Sequence, residues 1–152
     1  MISRRMRRLQ NLARLRKQEE DARVLELSAV RRDIAAAERQ RDEIGAMQRS
    51  MLEGAAERAR SQFNADEMQR FYLFERHLSN VATDADAAIQ EMRTVEAERL
   101  EDLQLANRRK RTMERLAENA ATARQTAISE SERKLIDEVA VNRNAARRKL
   151  AP

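Results

Sequence analysis

The chain has 152 residues and a formal net charge of +5; 38% of its residues are charged, 3% are aromatic, and it contains two Gly, one Pro and no Cys. This composition excludes disulfides and thiolate metal sites, and it argues against an ordinary globular domain with a large aromatic core. No apolar run approaches the roughly 20 residues that span a bilayer. Abundant helix formers with almost no helix breakers predict long helices and an all-α fold.

The first predicted helix covers about residues 3–62, with Gly45 and Gly54 as its only breakers. Its apolar residues follow the four-three spacing of a coiled-coil seam. They are Ile2, Met6, Leu9, Ala13, Leu27, Val30, Ile34, Ala37, Ile44, Met51 and Ala55. Polar residues interrupt this seam around Arg16, Glu20 and Arg23. Nearby apolar residues predict a shifted register there, namely Leu12, Leu15, Ala22 and Leu25.

The stretch Asn64-Ala65-Asp66-Glu67 has the form of a helix capping box. In such a box the Asn64 side chain accepts a hydrogen bond from the backbone N–H of Glu67, and the Glu67 side chain reaches back to the N–H of Asn64. Phe63 and Met68 occupy the flanking hydrophobic-staple positions. These signals predict a chain reversal at about residues 60–66. The alternative is one uninterrupted helix that dimerises.

The second predicted helix covers about residues 65–147, a stretch without Gly or Pro. Because long polar helices are marginal alone, the two helices should pack together. The predicted fold is therefore all-α, with two long helices forming an antiparallel coiled-coil hairpin, the second helix longer, and residues 1–152 as a single domain. The numbers of facing residues should add to about 128. Gly54 then lies opposite Phe74, where a missing side chain could seat the ring, and residues 108–111 lie opposite residues 17–20.

This pairing leaves the end of the second helix without a partner. The first helix runs out near Ser3, opposite about Gln125. Beyond that point, four apolar residues have nothing in the predicted hairpin to cover them, namely Ile128, Leu135, Ile136 and Val139.

Basic residues concentrate at the two termini. Residues 1–17 carry seven basic groups and no acid, residues 143–152 carry four and no acid, and the rest of the chain has 20 basic and 26 acidic residues. A hairpin brings both termini to one end, where an acidic protein, a nucleic acid or an anionic lipid could dock. The alternative is that Arg-rich helix ends only keep the chain soluble. No nucleic-acid partner is predicted, because aromatic residues do not interleave with the basic groups.

No enzyme, cofactor or metal site is predicted. The sequence has no Gly-rich phosphate loop and no arrangement that suits nucleophilic catalysis. His77 is the only histidine and is interpreted as an ordinary surface or rim residue. Acid pairs such as Glu19-Glu20 and Glu101-Asp102 are interpreted as solvated helix faces.

All aromatic residues lie within positions 63–74, namely Phe63, Phe71, Tyr72 and Phe74. Successive residues of a helix are about 100° apart, so the last three rings cannot all face the seam. At least one ring should be exposed, and exposed aromatic residues mark contact surfaces. The stripe formed by Phe74, Leu78 and Val81 is therefore a predicted partner-binding patch. The alternative is that the rings only pack at the hairpin tip.

Two segments carry a family resemblance. The first is Phe63-Asn64-Ala65-Asp66-Glu67-Met68 leading into Phe71-Tyr72-Leu73-Phe74 and Leu78, and the second is Glu132-Arg133-Lys134-Leu135-Ile136-Asp137-Glu138-Val139-Ala140. Both resemble segments of FliJ, the small coiled-coil component of the flagellar type III export apparatus, and of its injectisome counterparts of the YscO type. Chain length and architecture resemble the family over nearly the whole chain.

The resemblance implies a non-enzymatic component of the flagellar export apparatus, shaped like the central stalk of rotary ATPases. Its implied roles are those of an ATPase-ring stalk, an export-gate contact and a chaperone escort. The implied partners are the hexameric export ATPase, the cytoplasmic domain of the export gate and export chaperones. The implied location is cytoplasmic and peripheral to the inner membrane through these partners. A closed hairpin is expected to be monomeric on its own.

The resemblance also implies site residues. The export-gate and partner-binding set would be Phe74, Leu78 and Val81 on the second helix with Gln40, Ile44, Met47 and Met51 on the first. The first-helix residues follow the family's Gln-x3-Leu-x2-Tyr-x3-Tyr spacing, with Met in place of Tyr. The ATPase-facing end would comprise Arg4, Arg5, Arg7, Arg8, Leu135, Ile136 and Val139.

Three other interpretations stay open at this point. The chain could be a generic structural coiled coil or adaptor that self-assembles. It could be a nucleic-acid or anionic-surface binder, in which case its affinity must fall steeply with salt. Within the resembling family, it could be an injectisome stalk rather than a flagellar one.

Overall fold

The computed structural model describes residues 3–61 and 64–151. In this part of the chain it forms two helices, α1 (Arg4–Arg60, 57 residues) and α2 (Ala65–Leu150, 86 residues). The helices pack against each other as a hairpin, so the predicted all-α fold with a longer second helix is confirmed. Helix α2 ends at Leu150, later than the predicted end near residue 147.

Contacts divide the chain into two compact units. The central unit is Asp21–Leu105, and the terminal unit is Met1–Glu20 with Ala106–Pro152. Ion pairs join the helices within each unit, namely Arg31–Glu96, Glu38–Arg93 and Arg41–Asp86 in the central unit and Glu20–Lys110 in the terminal unit. The residue numbers of each pair add to about 128, which is the predicted register. The single-domain organisation of residues 1–152 stays a prediction.

Apolar heptad positions form the seam of the central unit. Its buried residues are Leu27, Ile34, Leu78, Ala82 and Ile89. Leu27 and Ile34 are seven residues apart, Ala82 and Ile89 are also seven apart, and Leu78 comes four residues before Ala82. This spacing keeps one narrow face of each helix against the other. In the terminal unit the corresponding buried residue is Ala106.

The predicted register shift near Arg16 is wrong. In the terminal unit Arg16 and Glu20 are half-buried seam residues, whereas Leu12 and Leu15 are exposed. In the central unit Arg23 is half-buried, whereas Ala22 and Leu25 are exposed. The four-three spacing therefore continues through the polar residues.

The physical reason is that these polar side chains find partners at the rim of the seam. Arg16 pairs with Glu19 at 2.9 Å, and Arg23 pairs with Glu26 at 3.0 Å. Their methylene stems can cover apolar surface while the charged ends stay near water. A shifted register would instead require both helices to over- or underwind locally.

Side-chain caps fix the start of both helices. Asn64 Oδ1 accepts a hydrogen bond of 2.9 Å from the backbone N–H of Glu67, which confirms this half of the predicted capping box. The reciprocal bond from the Glu67 side chain stays a prediction, and the Phe63 staple lies outside the described residues. Ser3, which was not predicted as a cap, caps α1: its Oγ accepts a hydrogen bond of 3.3 Å from the N–H of Met6. The signal was a Ser directly before the first helical residue.

Candidate functional site

The start of α2 exposes two aromatic rings. Tyr72 is 59% exposed and Phe74 is 51% exposed, whereas Phe71 is half-buried at a seam position. The Tyr72 ring packs edge-on against Phe71, with ring centroids 5.9 Å apart and an interplanar angle of 69°. The prediction that at least one ring of this cluster is exposed is therefore confirmed.

Leu78 does not belong to an exposed stripe. Its side chain is only 6% exposed, because it occupies a seam position facing α1 in the central unit. Val81 is half-buried. The expected continuous surface of Phe74, Leu78 and Val81 is thus corrected: Phe74 is the exposed member, and Leu78 is core.

The residues expected on the first helix divide in the same way. Gln40 and Met47 are exposed, whereas Ile44 and Met51 are half-buried seam residues. Met51 nevertheless borders the same groove as Phe74. We call this feature the mid-chain groove; it is lined by Met51, Gly54, Ala55, Phe71 and Phe74 and rimmed by Arg58, Glu67 and Arg70. The structure therefore brings together one residue from each half of the expected partner-binding set.

Gly54 does not seat the Phe74 ring as expected. Both residues line the mid-chain groove, but a Cβ atom added at Gly54 would meet nothing within 4 Å. The antiparallel pairing correctly placed Gly54 near Phe74, yet the ring lies on the groove wall rather than over the glycine. The groove is consequently open at this point.

Further apolar residues that were not predicted as contact residues are exposed near the groove. Leu52 and Leu73 are 58% and 62% exposed. Met68, which the sequence placed at a staple position, is 46% exposed. For Leu52 and Leu73 the signal was available, because both residues fall outside the four-three spacing that the seam uses. His77 is exposed, in agreement with its interpretation as a surface residue.

The terminal unit begins with an exposed basic turn. Arg4, Arg5, Arg7 and Arg8 are all exposed. Beneath them, Met6 and Leu9 on α1 line a groove with Leu116, Ala120 and Ala123 on α2. The guanidinium of Arg124 approaches the Met6 sulfur to 4.0 Å, which places the start of α1 beside residue 124.

Beyond this contact α2 continues as the segment that we call the overhang, residues 125–150. Every residue from 130 to 150 is exposed. Leu135, Ile136 and Val139 are 62%, 66% and 51% exposed. The prediction that this end of α2 leaves apolar residues uncovered within the hairpin is confirmed.

A polar cluster crosses the seam of the terminal unit. Glu20 accepts a hydrogen bond of 2.7 Å from Nδ2 of Asn107 and one of 3.1 Å from Nζ of Lys110. The Asn107 bond, followed by the Lys110 bond, lowers the pKa of the Glu20 carboxyl below its ordinary value. The cluster fixes the register of the two helices, because a shift along α1 would separate Glu20 from both donors.

The described residues contain neither a metal-holding group nor a membrane-spanning helix. Within residues 3–61 and 64–151, no group of three or more His, Cys, Asp or Glu side chains could hold a metal ion. Neither helix, over the same residues, is long and apolar enough to cross a membrane.

The chain resembles a known protein family over nearly its whole length. Neither the curated proteins nor the solved structures contain a match to the chain. The family model described as "Flagellar FliJ protein" matches residues 6–149, which include nearly all of α1 and α2. The chain therefore belongs to the flagellar FliJ family, whose members are components of the flagellar export apparatus.

Proposed function

We propose that this chain acts without catalysis of its own as a stalk for the hexameric export ATPase, with the overhang entering the ring. The observation that carries this proposal is that α2 continues beyond Arg124 with three large apolar side chains more than half exposed, namely Leu135, Ile136 and Val139. An exposed apolar cluster of this kind on a monomeric surface marks a contact site.

The dimensions and charge of the overhang support this role. A helix of residues 125–150 is about 39 Å long and only about 10 Å wide, so it can enter a narrow central opening. For each of Leu135, Ile136 and Val139, full burial of the side chain against a partner would stabilise the complex by roughly 1.5–3 kcal/mol. Four basic residues after Val139, together with Arg4, Arg5, Arg7 and Arg8, can attract an acidic ring surface.

Ring assembly tests this proposal. The purified export ATPase is sedimented with and without the full chain, and the hexamer fraction is measured. Wild-type chain should raise the hexamer fraction, and Ile136→Asp should not, because a charge would be buried against the ring. Val141→Asp, at a residue that is 65% exposed on the other side of the overhang, is the matched control and should behave as wild type. An unchanged hexamer fraction with wild-type chain would overturn the proposal.

We further propose that the mid-chain groove binds the cytoplasmic domain of the export gate and that the chain escorts export chaperones. Support comes from the exposed Phe74 ring, which shares a groove with Met51 and leaves open space at Gly54. An aromatic side chain beside a small apolar pocket is the usual composition of a binding hot spot. Leu78 and Ile44 then support the groove from the seam rather than touch the partner.

Binding of the purified gate domain by calorimetry tests the groove. Phe74→Ala should weaken binding by roughly tenfold or more, as expected for a hot-spot ring. Leu73→Ala removes a side chain that is 62% exposed and lies outside the groove lining, so it should leave binding unchanged. Equal effects of the two variants would reject the groove as the site. Such contacts would hold the chain in the cytoplasm, at the periphery of the inner membrane.

A further inference from the structure

The apolar face of the overhang differs from the face of α2 that packs on α1 in the terminal unit. That seam uses Ala106, Lys110, Met113, Ala117, Ala120 and Arg124, which are all buried or half-buried. The same spacing continues to Ala127, Ser131, Lys134 and Glu138. The large apolar residues Ile128, Leu135 and Val139 come one position later, which is a rotation of about 100°. The overhang therefore presents a separate seam of its own.

This second seam, which we call the overhang stripe, follows a regular four-three spacing. It consists of Ile128, Glu132, Leu135, Val139, Asn142 and Ala146. Four of the six positions are apolar, as in a coiled-coil seam. The two polar positions are Glu132 and Asn142. Any partner helix must offer each of them a hydrogen bond, because a buried polar group needs one.

In place of the monomer expected for a closed hairpin, we propose that the overhang stripe pairs with the stripe of a second copy of this chain, as an antiparallel two-helix coiled coil. When the numbers of facing residues add to about 274, Leu135 meets Val139, Ile128 meets Ala146 and Glu132 meets Asn142. Apolar positions thus meet apolar positions, and the two polar positions satisfy each other. Such a pair is isologous, as two-fold dimers require.

The hairpin already contains the polar contact that this pairing needs. Between α1 and α2 the Asn107 amide donates to the Glu20 carboxylate at 2.7 Å. In the proposed dimer the Asn142 amide of each copy donates to the Glu132 carboxylate of the other. The contact occurs twice, because the interface is symmetric.

The length of the overhang fits the same register. With facing numbers of about 274, Leu150 of one copy lies level with Arg124 of the other. Arg124 is the residue whose guanidinium reaches Met6, where α1 begins. The two overhangs can therefore overlap over their whole length and end where the hairpin of the other copy starts.

The charge distribution selects the antiparallel direction. Residues 127–138 contain four acidic and two basic side chains, whereas residues 139–150 contain four basic and no acidic ones. Antiparallel pairing places the acidic half of each copy on the basic half of the other. Parallel pairing would place four basic groups against four basic groups, which is unfavourable.

The register also places one like-charged pair at the centre. Glu138 of each copy flanks the seam beside Glu138 of the other, and Ile136 meets Ile136 on the opposite flank. Replacing Glu138 by Gln should therefore strengthen the dimer. If a different protein occupied the stripe, Glu138 would not face a second Glu138. Glu138→Gln would then not be expected to strengthen binding.

The proposed dimer does not depend on the proposed role at the ATPase, and it is tested on the purified chain alone. If both are true, the dimer covers Leu135 and Val139 in the free chain, and the ring must compete with the second copy for them. Failure of the dimer test would leave the ring-assembly result unaffected, so the two proposals can fail separately.

Sedimentation of the full chain over a range of concentrations provides the first test, with helix content followed by circular dichroism. We expect a concentration-dependent dimer that Leu135→Asp weakens by roughly tenfold or more, because the charge would be buried in the seam. Glu138→Gln should strengthen it by roughly twofold, the effect of removing one like-charged pair. Val141→Asp, outside the stripe, is the matched control and should leave the dimer unchanged.

Cysteine cross-linking provides the second test, since the chain contains no native Cys. Ile136→Cys should form a disulfide with itself, and Ile128→Cys should form one with Ala146→Cys in a mixture of the two variants. Ala146→Cys alone should not cross-link to itself. A chain that stays monomeric up to about 1 mM would overturn the proposal. So would self-linkage of Ala146→Cys, or equal damage from Val141→Asp and Leu135→Asp.

Discussion

The Glu20 carboxylate of α1 accepts a hydrogen bond of 2.7 Å from the Asn107 amide of α2, in the seam of the terminal unit. The Lys110 ammonium lies 3.1 Å from the other carboxylate oxygen, and the Glu20 side chain is only 16% exposed. This contact explains how a seam with few apolar residues keeps its register. A shift along α1 would leave the carboxylate without either donor, which is costly for a charge so little exposed.

Replacing Glu20 by Gln should lower the free energy of unfolding at pH 7 by about 1 kcal/mol, because a charge-assisted bond and the Lys110 ion pair are lost at a partly exposed site. Urea unfolding measures the change. The matched control is Glu19→Gln, which removes an exposed pair with Arg16 within α1 and should cost only about 0.3 kcal/mol. Equal effects of both variants would contradict a special role for Glu20.

The contribution of Glu20 should depend on pH in a defined direction. Its folded pKa is lowered below 4.5 by the Asn107 bond and then by the Lys110 bond. A lowered folded pKa means that the stabilisation is fully present above the unfolded pKa and is lost as the pH falls through the folded pKa. The stability difference between wild type and Glu20→Gln should therefore be constant from pH 6 to pH 8 and shrink below about pH 4. A difference that grows on acidification would contradict this assignment.

Gly54→Ala should stabilise the hairpin by about 1 kcal/mol, because Gly is a poor helix former and the added methyl group meets nothing within 4 Å. Thermal or urea unfolding measures the gain. Gly45→Ala is a second test, since its methyl group would make ordinary contacts of 3.5 Å and 3.6 Å with the Arg41 and Arg49 side chains. If Gly54→Ala destabilises the chain, the mid-chain groove lacks the open space at Gly54 that the structure shows.

Leu78→Ala and Phe74→Ala should separate core from surface. Leu78 is buried, so its truncation should cost about 2–4 kcal/mol of unfolding free energy. Phe74 is half exposed, so its truncation should cost about 1 kcal/mol or less while weakening binding of the gate domain. Urea unfolding of the two variants is the measurement. A larger loss for Phe74→Ala than for Leu78→Ala would show that the ring belongs to the core.

Asn64→Ala should destabilise α2 by about 1 kcal/mol, because the N–H of Glu67 loses its side-chain acceptor at the helix start. Asn64→Asp keeps an acceptor there and adds favourable charge near the helix N-terminus, so it should retain or raise stability. The unfolding free energies of both variants are compared with wild type. Equal losses for Ala and Asp would show that the cap contributes nothing.

The hairpin and its register followed from the sequence because they rest on repeating patterns. The four-three spacing located the seam, and the Asn64 box located the start of α2 to the residue. The facing pairs then followed from the position of the turn, including the approach of residues 17–20 to residues 108–111. Each of these inferences uses geometry that every α-helix shares.

Local competition between polar and apolar residues was harder to predict. Apolar Leu12, Leu15 and Leu25 suggested a shifted seam, but rim partners for Arg16, Glu20 and Arg23 kept the original one. Leu78 was expected to share one exposed stripe with Phe74. The two positions differ by a rotation of about 40° around the helix, which is enough to place Leu78 in the core and Phe74 at the groove. Such outcomes depend on which contacts each side chain finds across the seam, and the spacing alone does not contain that information.

Turnover of the purified hexameric export ATPase in the presence of the full chain tests the central claim most directly. Wild-type chain should raise the turnover rate, Ile136→Asp should lose the stimulation, and Phe74→Ala should retain it. Val141→Asp should stimulate as wild type does. An ATPase whose turnover is the same with and without wild-type chain would contradict the stalk role.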